Sequence, residues 1–458
     1  MTAAVATEAL LSPQALQAHA LELLERDGWS RGRLLEYQRA RLRTMIEYAV
    51  EHSAYYREAL GPDAAEAELS DLPTLPKALL MDELDRVVTD PRLRRRDLES
   101  FLDEADAGAL YLDEYRLFST SGTSGVPGLF VYSQREFAHW AAVFLRGFLR
   151  LGVTGDTRMT GIGAPSALHL SRQIAGALIA GREGAPKLAV TMPTPVIVEA
   201  LATYRPEVLV GYPTVVAVVA QEQLKGRLDI APRVVVTGSE VLTEDASRTI
   251  EAAWGSEPVD MYASTELGVI AMGSLDRVGM HVCEEGIVEI VDEDGRPVPP
   301  GEPGSKVLLT NLVNTVQPLI RYELTDSVIP AEGLDPSGRP FDLIACVDGR
   351  SDDVLTLPAA GGGEVRVHPF RLRSPFVRLP EVRQYQIVHR EHELLVRIVP
   401  LRDAGSELSG RVGSAVESAL AGAGASMAVS VQVVDEIERE QGHAAKVKLV
   451  VSEVGSPA

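Results

Sequence analysis

The sequence predicts an α/β protein of two domains, and three observations support this. At 458 residues the chain is longer than a single hydrophobic core usually organises. Strand-like runs alternate with helical stretches in the first part of the chain, which is typical of parallel sheets wrapped by crossover helices. Near residue 285 the pattern becomes antiparallel β, and a small α+β unit follows. We therefore expect a large domain over 1–351, with a β subdomain, and a small α+β domain over 352–458.

Composition narrows the class of partner. Apolar residues make up 45% of the chain, which is enough for large cores, and the formal net charge is −21. Nucleic acid and anionic membranes both require a basic surface, so we expect neither as a partner. The two cysteines cannot form a disulfide framework, so we expect reduced thiols. Residues 1–28 lack the basic start and long apolar run of a signal peptide and predict an amphipathic helix, which favours the cytoplasm.

The segment 120–128 reads TSGTSGVPG and is the strongest local signal for a ligand. Small residues leave backbone NH groups and hydroxyls accessible to a polyphosphate. It is not the loop of kinases and GTPases, because that loop needs a Lys after its last Gly, whereas Gly125 is followed by Val126. Taken alone, the segment is also compatible with a flexible, solvated Ser/Gly turn.

The stretch after this loop predicts a long amphipathic helix. Ser133 and Glu136 form a capping box, and Gly152 ends the pattern. The apolar face at helical spacing consists of Phe137, Trp140, Ala141, Phe144, Leu145 and Phe148. We expect this helix to be one of the best-buried elements of the large domain.

Strands and helices then alternate. The strand-like runs are LAVTM, VLVGYP, RVVVTG and VDMYAS, and helical stretches such as TEDASRTIEAAWG separate them. In open sheets of this kind, ligands bind at the carboxyl ends of strands. The segments GSE (238–240) and YASTE (262–266) both occur at such ends, so we expect them to border a site.

The remaining elements are mostly β. GIVEIVDEDGRPVPPGEPGSKVLLTNL predicts two alternating strands joined by a turn-rich connection. His281 and Cys283 just before it could be a metal pair, but two ligands without further Cys or His nearby favour a core or surface pair. The last unit contains the strands VRQYQIVH, LLVRIVP and MAVSVQVVD, and a helix near 407–421.

Five motifs in order resemble the adenylate-forming superfamily of acyl-CoA synthetases, adenylation domains and luciferases. They are the loop, GSE, YASTE, RYELTD (321–326) and GRSDD (349–353). YAVEHSAYYREAL, LPTLPKALL, SQREFAHWA and VGYPT bring the sequence closest to the phenylacetate:CoA ligase branch, and the resemblance spans roughly residues 35–450. It implies ATP, Mg²⁺ and CoA as ligands and a small C-terminal domain that is mobile.

The resemblance assigns roles to individual residues. Tyr262 would pack against adenine, Thr265 would bond the α-phosphate, and Glu266 would bind Mg²⁺. Asp326 would accept both ribose hydroxyls, and Arg350 would meet the ribose or the phosphate. The other expected ATP-binding residues are Ser119, Thr120, Ser121, Gly122, Thr123, Ser124, Gly125, Gly238, Ser239 and Glu240.

The C-terminal part carries the hinge and the catalytic lysine in this superfamily. Asp352 would be the hinge about which the small domain rotates, and Lys446 would be the lysine, with Lys448 as the alternative. The chain departs from the family pattern in two places. Val126 replaces the usual loop Lys, which implies weaker ATP binding or an unusual step. A Gly-rich segment at 360–363 makes the use of CoA less secure than the use of ATP.

The expected activity is the ligation of an aryl or arylacetic acid to CoA through an acyl-adenylate. The acyl pocket would contain Trp140, His169, Tyr212, Pro213, Leu267, Val269 and Ile270. One alternative is transfer of the acyl group to an amine or a carrier-protein thiol in secondary metabolism. A second alternative is an inactive homologue with a binding role. The expected partners are the small carboxylic acid and the acyl acceptor, and a homodimer is an open alternative to a monomer.

Overall fold

The computed structural model describes residues 10–104, 108–120, 128–166, 168–179, 182–333, 335–350, 355–367, 372, 375–376, 379, 381–400, 405–438 and 447–454, without the side chain of Arg350. The helices are α1 (Pro13–Leu24), α2 (Arg31–His52), α3 (Ala54–Leu60), α4 (Lys77–Asp82), α5 (Leu84–Val87), α6 (Arg95–Glu104), α7 (Gln134–Arg150), α8 (Leu170–Ile179), α9 (Thr194–Tyr204), α10 (Pro213–Leu224), α11 (Glu244–Trp254) and α12 (Leu408–Gly422).

The strands of the large domain are β1 (Tyr115–Ser119), β2 (Leu129–Ser133), β3 (Met159–Gly163), β4 (Lys187–Ala189), β5 (Val208–Gly211), β6 (Val234–Gly238), β7 (Val259–Ser264), β8 (Gly268–Gly273), β9 (Met280–Val282), β10 (Gly286–Val291), β11 (Lys306–Asn311), β12 (Tyr322–Leu324), β13 (Asp326–Pro330) and β14 (Leu343–Arg350). Those that follow are β15 (Leu355–Pro358), β16 (Glu364–Val367), β17 (Val382–His389), β18 (Glu393–Pro400), β19 (Ala428–Val433) and β20 (Val450–Ser452).

A nine-stranded mixed sheet dominates the large domain, in the order β13-β14-β9-β8-β7-β6-β5-β3-β4. Strands β3 to β7 are parallel, and α8 to α11 connect them, which confirms the predicted alternation of strands and crossover helices. The sheet becomes antiparallel at β8. The reason is the connection: only 265–267 separate β7 from β8, and a parallel pair would need a crossover of a dozen or more residues.

The predicted antiparallel strands after residue 285 are confirmed, with one difference. Strands β10, β11 and β12 form a separate three-stranded antiparallel sheet. Strands β13 and β14 instead return to the edge of the main sheet, where β14 pairs with β9. This return places Asp326, the first residue of β13, on the same sheet as β7.

The hairpin β1–β2 presents the segment 120–128. Its two strands are antiparallel, and Ser119 pairs with Leu129 at the end next to that segment. Side chains that follow β11 hold β2 in place: Gln317 bonds both Val131 and Leu129, and Asn314 bonds the Val131 carbonyl. These contacts fix the strand that leaves the loop relative to the rest of the large domain.

The helix that follows β2 is confirmed in detail. In α7 the Ser133 hydroxyl accepts from the Glu136 NH at 3.2 Å, and the Glu136 carboxylate accepts from the Ser133 NH at 2.7 Å. Its predicted apolar face, including Phe137, Trp140 and Phe148, is buried in the largest hydrophobic core. None of the helices in the described part of the chain is long and apolar enough to cross a membrane.

The C-terminal unit has its own hydrophobic core. Strands β19-β18-β17-β20 form a four-stranded sheet, and α12 connects β18 to β19. The buried cluster here draws its residues only from 355–450. The expected strands and helix of this unit are all present. The boundary at 351/352 stays a prediction, because 351–354 lie outside the described residues.

Candidate functional site

A cavity of about 240 Å³ opens between the carboxyl ends of β6 and β7 and the C-terminal unit. From the large domain it is lined by Ser239, Glu240, Asp260, Tyr262 and Asp326, among others. From the C-terminal unit it is lined by β17 and the segment 447–450. Four of these five residues come from motifs that the sequence singled out, whereas Ser119, Thr120, Thr265 and Glu266 are not among the residues that line this cavity.

The structure brings Tyr262 and Asp326 together. The Tyr262 hydroxyl donates to Asp326 Oδ2 at 2.7 Å, although 64 residues separate the two positions. The contact follows from the return of β13 to the main sheet. The groups expected to meet adenine and ribose therefore lie side by side.

The turn after β6 borders the cavity through Ser239 and Glu240. A Cβ on Gly238 would lie 2.9 Å from the Met261 carbonyl oxygen, so only glycine fits there. Ser239 has a φ of 69°, in the left-handed region that few non-glycine residues adopt. The turn directs Glu240 toward Thr214 at the start of α10 and toward Val447 in the C-terminal unit.

Asp260 is a cavity residue that the motifs did not identify. It lies on β7, two residues before Tyr262, and Thr237 on β6 donates to it at 3.2 Å. Burial raises its pKa to about 6, against a usual value of 3.8. The VDMYAS run predicted a strand there, but it carried no indication of which face of that strand would meet the cavity.

Asp260→Asn is expected to stabilise the protein in a pH-dependent way. The native pKa lies above the unfolded one, so the protonated form is favoured in the fold and stability falls as pH rises through about 6. The Asn side chain keeps an acceptor for Thr237 and does not ionise. The melting temperature of the Asp260→Asn variant should therefore equal that of the wild type near pH 4 and exceed it at pH 8. Asp229→Asn, at an exposed side chain, is the control. A constant difference at all pH values would contradict this.

The turn between β7 and β8 is held by its backbone. Tyr132 donates to the Thr265 carbonyl at 2.6 Å, and Asn311 donates to the Glu266 carbonyl at 2.8 Å. Both Thr265 and Glu266 are buried. Burial raises the pKa of Glu266, whereas a hydrogen bond from its own backbone NH and the charge of Lys77 act in the opposite direction. A carboxylate held in this way suits a cation that arrives with a phosphate.

The two ends of the loop 120–128 are joined. Thr120 NH donates to the Gly128 carbonyl at 3.0 Å, and Gly128 NH donates to the Thr120 hydroxyl at 3.1 Å. Ser119, at the end of β1, is buried next to them. The remaining loop residues lie outside the described part of the chain: Ser121, Gly122, Thr123, Ser124 and Gly125.

Lys77 lies against the base of this loop, and the sequence analysis did not identify it. Its ammonium donates to the Thr120 hydroxyl at 3.4 Å, and its Cε lies 3.2 Å from where a Cβ on Gly128 would be. The same charge acts on the Glu266 carboxyl. Lys77 occurs in LPTLPKALL, well before the loop. The available signal was indirect: a loop without its usual Lys needs a cation from elsewhere.

Three expected C-terminal residues cannot be located in full. Backbone pairing places Arg350 opposite Asp326, but its side chain is outside the description. Asp352 and Lys446 also lie outside the described residues. The alternative lysine, Lys448, lines the cavity, and its carbonyl accepts from Gln386 at 3.0 Å. The assignment of Lys446 over Lys448 therefore stays a prediction.

The expected acyl-pocket residues are mostly buried. Only Pro213 of this set lines the cavity described above. Trp140 packs on Gly268, where a Cβ would come within 2.7 Å of the indole ring. The His169 ring contacts the Ser171 hydroxyl at 2.8 Å, at the start of α8. The others are within hydrophobic cores, namely Tyr212, Leu267, Val269 and Ile270. Their contact with an acyl group stays a prediction.

His281 and Cys283 lie in separate surroundings. His281 Nε2 contacts Asp335 Oδ2 at 2.7 Å, and burial raises the pKa of Cys283 to about 12. Within the described ranges, no group of three or more His, Cys, Asp or Glu side chains could hold a metal ion by itself.

Comparison with known proteins identifies related sequences. Residues 86–309 match the family model described as AMP-binding enzyme. The phenylacetate-coenzyme A ligase of Thermus thermophilus is 25% identical over 410 residues, which cover 82% of this chain and 85% of that protein.

The fold also matches a solved ligase in two states. The 2-hydroxyisobutyryl-CoA ligase in its postadenylation state, in complex with R3-HIB-AMP, superposes with a TM-score of 0.72 at 19% identity, over 91% of this chain and 89% of that one. The same ligase in its thioesterification state, in complex with 2-HIB-AMP and CoA, gives 0.55 at 20% identity over the same shares. Of these two solved states, the postadenylation state superposes with the higher TM-score.

Proposed function

We propose a specific reaction from one premise: this chain belongs to the adenylate-forming superfamily of AMP-binding enzymes, in the phenylacetate:CoA ligase branch. As a member, it is an AMP-forming acid:CoA ligase. The proposed acid is an aryl or arylacetic acid, which ATP converts to an acyl-adenylate before transfer to CoA. The contact between Tyr262 and Asp326 beside the cavity carries this proposal, because it joins the adenine and ribose functions in one place.

Each half of the nucleotide has its own set of residues in this proposal. Tyr262 and the bare backbone at Gly238 receive adenine, and Asp326 accepts the ribose hydroxyls in exchange for its bond to Tyr262. The Thr265 hydroxyl bonds the α-phosphate. The loop 119–125 receives the β- and γ-phosphates through its hydroxyls and NH groups. Lys77 supplies the positive charge that the superfamily's loop Lys, replaced here by Val126, would otherwise provide.

The residues present fit a magnesium ion in one respect, since Glu266 offers a buried carboxylate next to the expected phosphate position. Such an ion neutralises charge on the phosphates when bound. Lys446 contacts the substrate carboxylate and the α-phosphate in the first half-reaction. Asp352 is the hinge about which the C-terminal unit rotates for the second half-reaction. We place the reaction in the cytoplasm, where ATP and CoA are available.

The aryl preference rests on the phenylacetate-coenzyme A ligases among the relatives. Among the expected acyl-pocket residues, Pro213 lines the cavity and offers an apolar surface there. A planar ring would gain more from an apolar wall than a short polar acid would.

The test is pyrophosphate exchange across a panel of benzoic, phenylacetic, short aliphatic and hydroxy acids, followed by thioester formation with CoA. Exchange and thioester formation with aryl or arylacetic acids are expected. Exchange only with aliphatic acids would overturn the aryl assignment. Exchange without thioester would favour an amine or a carrier-protein thiol as acceptor. No exchange with any acid, although ATP binds, would favour the inactive homologue.

A further inference from the structure

Glu240 connects the two parts of the molecule at one point. Its Oε2 accepts from the Thr214 hydroxyl at 2.6 Å, and its Oε1 accepts from the backbone NH of Val447 at 2.8 Å. Thr214 belongs to the large domain and Val447 to the C-terminal unit. A single carboxylate therefore uses both oxygens to join them.

The large-domain side of this contact is fixed. Thr214 is the second residue of α10, where backbone NH groups have no partner within the helix. Its NH also points to Glu240 Oε2, at 3.4 Å. The positive end of the helix dipole favours a carboxylate at this place. Glu240 is thus oriented by its own domain, whatever the C-terminal unit does.

The other side of the contact is equally tied to the C-terminal sheet. The Lys448 carbonyl accepts from Gln386 at 3.0 Å, and the Leu449 carbonyl accepts from the Ile387 NH at 2.8 Å, both on β17. Strand β20 then continues in parallel with β17. The Val447 NH therefore moves with the whole C-terminal unit, and it belongs to the peptide bond that links Val447 to Lys446.

From this geometry we infer that Glu240 is a positioning residue that holds the C-terminal unit in the adenylating arrangement. The contact exists in a structure that superposes with the higher TM-score on the postadenylation state. It must break if the C-terminal unit rotates for thioester formation. Glu240 then assists the first half-reaction and not the second. This inference deepens the proposed function and rests on its two half-reactions.

The test measures the two half-reactions separately. Glu240→Ala is expected to lower pyrophosphate exchange by about tenfold or more, the scale of one hydrogen bond to a charged group. Thioester formation from supplied acyl-adenylate and CoA should be unchanged or faster. Glu240→Gln keeps an acceptor for Val447 and should recover most of the exchange. Glu199→Ala, at an exposed position on α9, is the matched control.

A second measurement needs no substrate. Dyes on Glu199→Cys and Ser418→Cys, both exposed, report the distance between the two parts by energy transfer in a Cys346→Ser background. Buried Cys283 should not react. In the ligand-free protein, Glu240→Ala should shift the population away from the arrangement of the wild type. This result stands even if no acid in the panel supports exchange.

Two outcomes would overturn the inference. One is an unchanged distance distribution together with lost exchange, which would mean that Glu240 acts on the nucleotide alone. The other is an equal loss of both half-reactions in Glu240→Ala with an unchanged melting temperature, because a contact specific to one arrangement cannot produce it. Thr214→Val, which removes only the orienting hydroxyl, should give a smaller effect in the same direction.

Discussion

Glu266→Gln is expected to lower acid-dependent pyrophosphate exchange by about 10³-fold, since a metal ligand at a charged transition state contributes several kcal/mol. The substitution keeps the size of the side chain and removes its charge. The backbone of the turn should stay in place, because Asn311 and Tyr132 bond carbonyl groups and not the Glu266 side chain.

The fold should tolerate this change. Burial raises the pKa of the Glu266 carboxyl, so the charged form is disfavoured in the native protein and a neutral amide should not destabilise it. Circular dichroism and the melting temperature check this point. Glu257→Gln, at a half-exposed side chain, is the control for the loss of one negative charge. Full exchange in Glu266→Gln, with Mg²⁺ still required, would remove Glu266 from the site.

The wild-type pH profile should reflect the same residue. A raised pKa means that Glu266 becomes protonated on acidification at a higher pH than an ordinary Glu does. Protons then compete with Mg²⁺ for the carboxylate, so exchange at limiting Mg²⁺ should fall as pH is lowered. In Glu266→Gln this acid limb should disappear from the residual activity. An acid limb that is identical in both proteins would assign it to another group.

Much of the fold could be predicted from local patterns. The capping box of Ser133 and Glu136 and the apolar spacing of α7 are short-range signals, and both are present as expected. The parallel order of β3 to β7 follows from helices long enough to cross the sheet. The antiparallel turn at β8 follows from the short connection after β7. The return of β13 to the main sheet could not be predicted, because it depends on which strand edge is open.

In the candidate site, too, local motifs could be predicted from the sequence and long-range contacts could not. Tyr262 and Asp326 were identified through motifs, and their contact depends on the long-range return of β13. Lys77 and Asp260 were missed because a single Lys or Asp in an ordinary run has no local signature. Only the folded chain brings Lys77 across to Thr120, or turns Asp260 toward the cavity and raises its pKa. The role of Glu240 between the two parts is equally invisible in the GSE motif.

Lys77→Met is expected to lower kcat/KM for ATP by about 10²-fold, the scale of one positioned electrostatic group. The loop has Val126 where the superfamily usually has a Lys, and the protein carries a net charge of −21. A cation beside the loop is therefore expected to contribute strongly to holding the phosphates. Lys77→Arg should retain part of the activity, because it keeps the charge with a different geometry. Lys187→Met, at an exposed residue of β4, is the control.

Two further measurements separate a phosphate contact from a structural role of Lys77. Its charge opposes the rise in the pKa of Glu266, so Lys77→Met should move the acid limb of exchange to higher pH. A purely structural Lys would not shift that limb. In addition, Val126→Lys in the Lys77→Met background returns a cation to the loop and should restore part of the lost kcat/KM for ATP. If the KM for ATP and the acid limb of Lys77→Met both equal those of Lys187→Met, the phosphates are neutralised by another group.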